Sequence, residues 1–261
     1  MVIGQELICD KIYKSNLDTF PRTLMLIGEH GGGKHLIISE IAHQLNLEVR
    51  DISEELSIDL IDEIYQRTDP YLYIINLDIL LIKQQNMILK LIEEPLKNSY
   101  MVLITEAGSN VLPTIFNRCQ KWELSPYSKE YLATFTDNQL ILKLANTPGQ
   151  ILEFLNSDLD ELFELADKIT TKIGVANLPN VLTISSKITT KDEKGKVPAK
   201  LLIKALVVNF RDACFNNATV NYIDAYKRTQ KLAADSKIKN IDLKYLLERY
   251  LVDIREIMRR T

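Results

Sequence analysis

The stretch GEHGGGKH, residues 28–35 of a 261-residue chain, has residue types and a spacing that can hold nucleotide phosphates. In the pattern G-x-x-x-x-G-K-[ST], a glycine-rich turn between a strand and a helix aims successive backbone N–H groups at the phosphates. The lysine reaches their oxygens and the final hydroxyl takes magnesium. Gly28, Glu29, His30, Gly31, Gly32, Gly33 and Lys34 fit that pattern. His35 stands where the hydroxyl belongs, and an imidazole nitrogen is a poor ligand for a hard, oxygen-seeking cation. An ordinary strand-to-helix turn could share the glycines. The strand TLMLI before the loop and the helix KHLIISEIAHQL after it favour a phosphate loop. The eight residues are therefore expected to bind ATP or ADP through Lys34, with magnesium binding compromised.

Hydrolysis needs more than the loop. An acid at the end of a second strand holds the metal, and a glutamate beside it polarises the attacking water. The matching strand, YLYIINLDIL, can be read in two registers: either Asn76 and Leu77 fill the acid–glutamate pair, or Asp78 and Ile79 do. Neither register supplies the glutamate. Glu93 and Glu94, at the end of QQNMILKLIEEP, read as a solvated helix terminus before Pro95 rather than as catalytic groups. His30 and His43 have no partner pattern and read as surface or locally hydrogen-bonded residues.

The elements that must position these groups alternate up to about residue 125 between short β-branched or aromatic runs and helical stretches. That is the pattern of a parallel sheet with helices on its faces. The predicted strands are TLMLI (23–27), LEVR (47–50), YLYII (71–75), YMVLIT (100–105) and CQKWEL (119–124). After Pro126 the strand signal stops, and helices follow, separated by NTPG (146–149), NLPN (177–180) and TTKDEKGKVP (189–198). In the last helix Leu243, Leu246, Leu247, Tyr250, Leu251, Ile254, Ile257 and Met258 share one face, with Lys, Glu, Asp and Arg on the other, so that stripe needs a partner within the chain or beyond it.

Composition narrows the function. With 32 basic against 35 acidic side chains and a formal charge of -3, the chain does not bind nucleic acid by bulk charge. Its apolar runs are too short to span a membrane and the N-terminus lacks a signal-peptide pattern, so a cytoplasmic protein is expected. Cys9, Cys119 and Cys214 are far apart and form no C-x-x-C pair, which argues against a disulfide framework and a zinc site of the usual spacing. All three are expected to be reduced and mostly buried.

Taken in order, the motifs resemble the clamp-loader branch of the AAA+ family, which serves bacterial DNA polymerase III. VIGQE (2–6) looks like the motif near the adenine pocket, and NMILKLIEEPLKNSYMVLITE (86–106) like N-A-L-L-K-x-L-E-E-P and its following strand. LPTIFNRCQKWELSPYS (112–128) looks like the segment carrying S-R-C, with Asn117 in place of Ser and with Arg118 and Cys119 kept. NTPGQIL (146–152) resembles a G-x-P-G stretch, and VVNFRDACF (207–215) a helix of the collar.

The resemblance implies an AAA+ P-loop domain over 1–126, a helical lid over 127–175 and an all-α collar over 176–261. Counting back from LIEEP along the family's spacing places Asn76 and Leu77 at the acid–glutamate pair, and the lid's sensor arginine falls at Gly149. Magnesium hydroxyl, acid pair and lid arginine are then missing together, as suits a stator-like subunit without ATPase activity of its own. The four-cysteine zinc insertion of many relatives is expected to be absent, so no zinc is implied. Arg118 becomes the arginine that projects into a neighbour's ATP site. The implied partners are gamma/tau-like ATPase subunits and a delta-like subunit in a hetero-oligomer, the sliding clamp, and primer-template DNA through the assembly. The alternatives are an ATP-hydrolysing motor subunit of a phage-type loader and a helicase-loader-like binding module.

Overall fold

The computed structural model describes residues 4–94, 98–106, 111–156, 159–189, 197–217, 219–236, 238 and 241–259. Val2 and Ile3 of the first motif, Pro95, and residues 190–196 of the polar run lie outside the described residues. The chain divides into two compact units, one formed by residues 1–138 and 145–153, the other by 139–144 and 154–261.

The first unit runs α1 (Glu6–Tyr13), β1 (Thr23–Ile27), α2 (Lys34–Leu45), β2 (Glu48–Asp51), α3 (Ile58–Gln66), β3 (Tyr71–Asn76), α4 (Ile82–Glu93), β4 (Tyr100–Thr105), α5 (Pro113–Phe116), β5 (Gln120–Glu123) and α6 (Lys129–Leu132). The five strands form one all-parallel sheet in the order β2-β3-β4-β1-β5. The inner strands β3, β4 and β1 are apolar on both faces, as a sheet covered on both sides requires. Their two-residue alternation divides them between two cores. Leu24, Leu26, Leu72, Ile74, Val102 and Ile104 pack with Ile8 and Ile12 of α1 and Ile37 and Ile41 of α2. Met25, Tyr73, Ile75, Met101 and Leu103 pack with Ile64 of α3, Ile88 and Leu91 of α4, and Ile115 of α5.

All five expected strands are present with small shifts at their ends. The second begins at Glu48 because Asn46 closes α2 in the left-handed region, at φ 51°, and Leu47 donates its N–H back to Ala42 O. Leu47 therefore belongs to the helix cap and packs on the core instead of pairing in the sheet. The fifth begins after Cys119, because the Arg118 N–H is still bonded to Ile115 O at the end of α5.

The second unit holds α7 (Gln139–Leu144), α9 (Asp160–Lys172), α10 (Leu178–Ser186), α11 (Ala199–Asn216), α12 (Val220–Asp235) and α13 (Leu243–Arg259). Helix α8 (Pro148–Leu155) begins in the first unit and ends in the second. Contrary to the expectation of helices alone beyond Pro126, β6 (Ile188–Thr189) and β7 (Val197–Pro198) form a two-residue parallel pair. Pairs this short leave little periodicity to read in a sequence.

On α13 the middle of the expected stripe, Leu247, Tyr250, Leu251 and Ile254, is buried within its own unit, while Leu243, Leu246, Ile257 and Met258 at its ends are half-buried. Arg255, expected on the polar face, is buried too. Its Nε donates to Ala176 O at 2.8 Å, and its terminal nitrogen pairs with Glu256 at 2.6 Å. The guanidinium satisfies a carbonyl that ends the preceding single 3₁₀ turn, so a charged group sits where the helical period alone would allow an apolar one. Cys9 and Cys119 are buried and Cys214 is half-buried, and none of the three is in a disulfide.

Candidate functional site

In an open parallel sheet, ligands meet the carboxyl ends of the strands where the strand order reverses. Here that place is the end of β1, between β4 and β5. Gly28 follows β1 and donates its N–H to Thr105 O of β4, while α2 leaves from Gly33, which holds φ 91°. Gly31 also lies in the left-handed region, at φ 72°. The glycines thus provide backbone angles that other residues adopt only with strain. Helix α2 begins at Lys34 with its first N–H groups facing the loop, the geometry of an anion site.

Every carbonyl from Gly28 to Gly33 accepts a hydrogen bond from the chain itself. Lys34 Nζ donates to Gly28 O at 2.6 Å and to Glu29 O at 3.1 Å. Thr147 Oγ1 and Gln150 Nε2 donate to His30 O at 2.7 and 3.2 Å. The Gly149 N–H donates to Gly31 O at 3.0 Å, the Tyr127 hydroxyl to Gly32 O at 3.0 Å, and the Ile37 N–H to Gly33 O at 3.0 Å. Asn146 Nδ2 also reaches the Glu29 carboxylate, at 3.3 Å. His30 lies 3.6 Å from Glu106 and 3.7 Å from Glu153, which fits the local role expected for it. His35 is exposed, and its carbonyl accepts from Ser39.

Burial pulls the Lys34 ammonium below the ordinary lysine range, against the opposing charges of Glu106, Asp78 and Glu29. Asp78 is a residue the family register leaves outside the site. It accepts from Thr105 Oγ1 at 2.8 Å and from the Glu106 N–H at 2.7 Å. Asn76 ends β3, and its side-chain oxygen accepts from the Asp78 N–H at 3.0 Å. Leu77, at the glutamate position of the register set by LIEEP, is fully buried in the α3–α5 core. Neither Asn76 nor Leu77 offers a carboxylate for a metal. With an exposed imidazole at position 35, the residues present do not fit a magnesium site of the usual kind. Among the described residues no cluster of three His, Cys, Asp or Glu side chains is arranged to hold a metal ion.

Beside the loop lies a cavity of about 720 Å³ lined by Leu36, Tyr127, Tyr131, Phe135, Pro148 and Leu152, with the Gly31 and Gly33 backbone at its edge. Tyr127 stacks on Tyr131 at 5.5 Å. Its size and largely apolar lining fall within the range of small-molecule sites. The N-terminal motif is anchored nearby. Buried Gln5 exchanges two hydrogen bonds with Ser125, its Nε2 donating to Ser125 O at 2.9 Å and its Oε1 accepting from Ser125 N at 2.8 Å.

Arg118 lies away from the loop. Pro113 at the first position opens α5, Asn117 caps its end, and buried Cys119 turns inward as β5 begins, which leaves Arg118 facing outward. Its guanidinium bonds Thr114 O at 3.1 Å and Glu93 Oε1 at 3.0 Å, with both side chains about half exposed. Glu93, read as a solvated helix terminus, ends α4 as expected and is also the partner of Arg118. The Asn117 side chain is exposed. Sequence reasoning missed Thr147, Gln150 and Tyr127 at the loop. NTPG reads as a breaker, and only the burial of Thr147 and Gln150 shows where their polar groups go.

A five-stranded parallel sheet with a glycine-rich loop and lysine between β1 and α2, followed by a helical region, defines a P-loop-type α/β fold. Residues 48–128 match the family described as DNA polymerase III, delta subunit. A curated relative, DNA polymerase III subunit delta' of Haemophilus influenzae, is 32% identical over 83 residues, covering 32% of this chain and 24% of that protein. The match thus spans about a quarter of the relative's length. A solved structure, the DNA polymerase III gamma subunit-related protein of Thermotoga maritima, shares the fold at a TM-score of 0.52 and 19% identity, over 98% of this chain and 100% of that one. The resemblance expected from the motifs is therefore found, and its sequence support lies in 48–128, the segment that contains Arg118. Among the described residues no helix is long and apolar enough to cross a membrane.

Proposed function

We propose that the chain is a clamp-loader subunit of DNA polymerase III, stator-like and without hydrolysis of its own, that lends Arg118 to the ATP site of an adjacent subunit. The observation that carries this reading is Arg118 itself. It is an outward guanidinium in the family-matched segment, held among the described residues by a half-exposed carboxylate and a helix-end carbonyl. A half-exposed ion pair is worth on the order of 0–1 kcal/mol, so the arginine can leave Glu93 at little cost. A planar, permanently charged fork then suits negative charge growing on a transferred phosphate. The partners are gamma/tau-like ATPase subunits and a delta-like subunit in a hetero-oligomer that loads the sliding clamp onto primed DNA. The arrangement comprises a P-loop domain over 1–126, a lid over 127–175 and a collar over 176–261.

ATP or ADP is held weakly, without hydrolysis, by this subunit's own loop. In-line attack without a positioned water and metal loses the electrostatic contributions that dominate phosphoryl transfer. Reconstitution with the partner ATPase subunits tests the reading. Arg118→Ala is expected to lower DNA-stimulated hydrolysis by on the order of a thousandfold per affected site, with assembly intact. Unchanged hydrolysis would remove the finger.

One observation favours a second reading, an ATP-hydrolysing motor: the Asp78 carboxylate lies close enough to Lys34 to act on its charge. Steady phosphate release by the purified chain, lost in both Lys34→Ala and Asp78→Asn, would support it.

A further inference from the structure

We infer that Thr147, Gly149 and Gln150 form an intramolecular clasp on the phosphate loop, and that this clasp and a nucleotide's phosphates exclude one another. The glycines of such a loop leave out side chains so that phosphates can approach the backbone. At Gly31 the space left by the missing Cβ is filled by the chain. A β-carbon placed there would stand 2.8 Å from Gln150 N, 2.8 Å from Thr147 Oγ1 and 2.9 Å from the Gly149 carbonyl carbon. The approach is mutual, because a β-carbon on Gly149 would stand 2.5 Å from Gly31 Cα and 2.8 Å from Gly31 O. Two glycine backbones are in direct contact, with no atomic layer between them.

The contact is fastened. Thr147 Oγ1 and Gln150 Nε2 both donate to His30 O, and the Gly149 N–H donates to Gly31 O. Thr147 Oγ1 also accepts from Gln150 N at 3.3 Å, and the Gln150 side-chain oxygen accepts from Asn146 N at 3.1 Å, so the turn before α8 is pre-shaped. Thr147 and Gln150 are buried polar residues, and opening the clasp would leave their groups and two loop carbonyls without these partners. Lys34 completes the closure by donating its ammonium to Gly28 O and Glu29 O.

A nucleotide then binds only the open fraction, so its apparent affinity falls by that fraction. The cavity beside the loop, which would take the base, is left standing. The clasp therefore acts on the phosphate end of a ligand. This inference deepens the weak-binding reading above and is independent of Arg118.

The test is calorimetric titration of the full chain with ADP and, separately, with adenosine. It compares the parent, the double variant Thr147→Val/Gln150→Leu, which removes two donors, and Gly149→Ala, which wedges the two backbones apart. Hydrogen exchange at 28–33 and 146–153 reports opening, and circular dichroism reports folding. ADP affinity is expected to rise on the order of tenfold in the opened variants, with adenosine affinity unchanged in Thr147→Val/Gln150→Leu, whose two residues do not line the cavity. A parent that binds no ADP beside opened variants that do would sink the weak-binding reading and keep the clasp. Opened, folded variants that bind ADP no better than the parent, or not at all, overturn the clasp. So does an equal gain for adenosine, or nucleotide that increases protection of 146–153 in the parent. Should one variant fail to fold, the other carries the comparison.

Discussion

The backbone N–H of Gly149 is bonded to the carbonyl oxygen of Gly31 at 3.0 Å, across a contact so close that neither residue has room for a β-carbon. The resemblance to clamp loaders implies a sensor arginine at the position of Gly149. Here the same position serves backbone-to-backbone packing, and an arginine could not occupy it without lifting α8 from the loop.

Gly31→Ala and Gly149→Ala should both destabilise the first unit. At Gly31 the left-handed backbone adds about 1–2 kcal/mol of strain to the overlap with the turn before α8. Gly149→Ala lacks that backbone strain but meets the closer overlap, 2.5 Å from Gly31 Cα. Urea midpoints, read at constant slope, rank the two.

Arg118→Lys keeps the charge and loses the planar fork, so it should fail to restore hydrolysis in a reconstituted assembly. In the isolated chain the same substitution should shift stability by less than about 0.5 kcal/mol, as is usual for exposed positions. Large loss of hydrolysis with small loss of stability would separate a role in trans from a local one. A large stability loss in the isolated chain would instead make the Glu93 pair structural.

Cys119 should resist alkylation in the native chain. Burial pushes its thiol from about 9 up to about 11, so its thiolate is about a hundredfold scarcer at pH 8 than in the unfolded chain, a factor of ten for each unit. Since the folded value is the raised one, the stability this thiol contributes is complete below pH 9 and is lost as pH rises towards 11. The difference in unfolding free energy between the parent and Cys119→Ala should therefore shrink from pH 8 to pH 10.5. A constant difference across that range would contradict the assignment.

In the helical unit, Tyr250 and Thr229 share a buried hydroxyl–hydroxyl bond of 2.7 Å, and Thr229 also donates to Ala225 O. Tyr250→Phe should cost about 1 kcal/mol, the usual net worth of one hydrogen bond. Leu251→Ala, which empties a fully buried site, should cost about 2–5 kcal/mol. Thermal melts of the two variants give the comparison.

Much of the fold was legible because its signals are local. The strand runs 23–27 and 100–105 coincide with β1 and β4, since continuous apolar stretches of that length suit a strand buried on both faces. The α13 stripe was legible from its period, but Arg255 was not, because its partner Ala176 lies far off in the chain. The loop was recognisable residue by residue, and the closing groups Thr147 and Gln150 were hidden in a stretch that reads as a helix breaker. Leu77 and Asp78 are adjacent, and only the alternation of side chains past the end of β3 sends one into the core and the other to Thr105 and Glu106 at the end of β4.

By itself the sequence determined that this chain has a phosphate loop without its metal hydroxyl, set in an alternating α/β segment ahead of a helical one. Glycine spacing, side-chain alternation and helical period act between near neighbours and need no distant partner. Only the tertiary structure decided that Gly31 is covered by Gly149, that Asp78 is bonded by Thr105 and the Glu106 N–H, and that Arg118 is held by Glu93. Those pairings depend on the tertiary arrangement, which brings the ends of β1, β3 and β4 and the start of α8 together and, separately, the ends of α4 and α5, and nothing in the local sequence encodes that proximity.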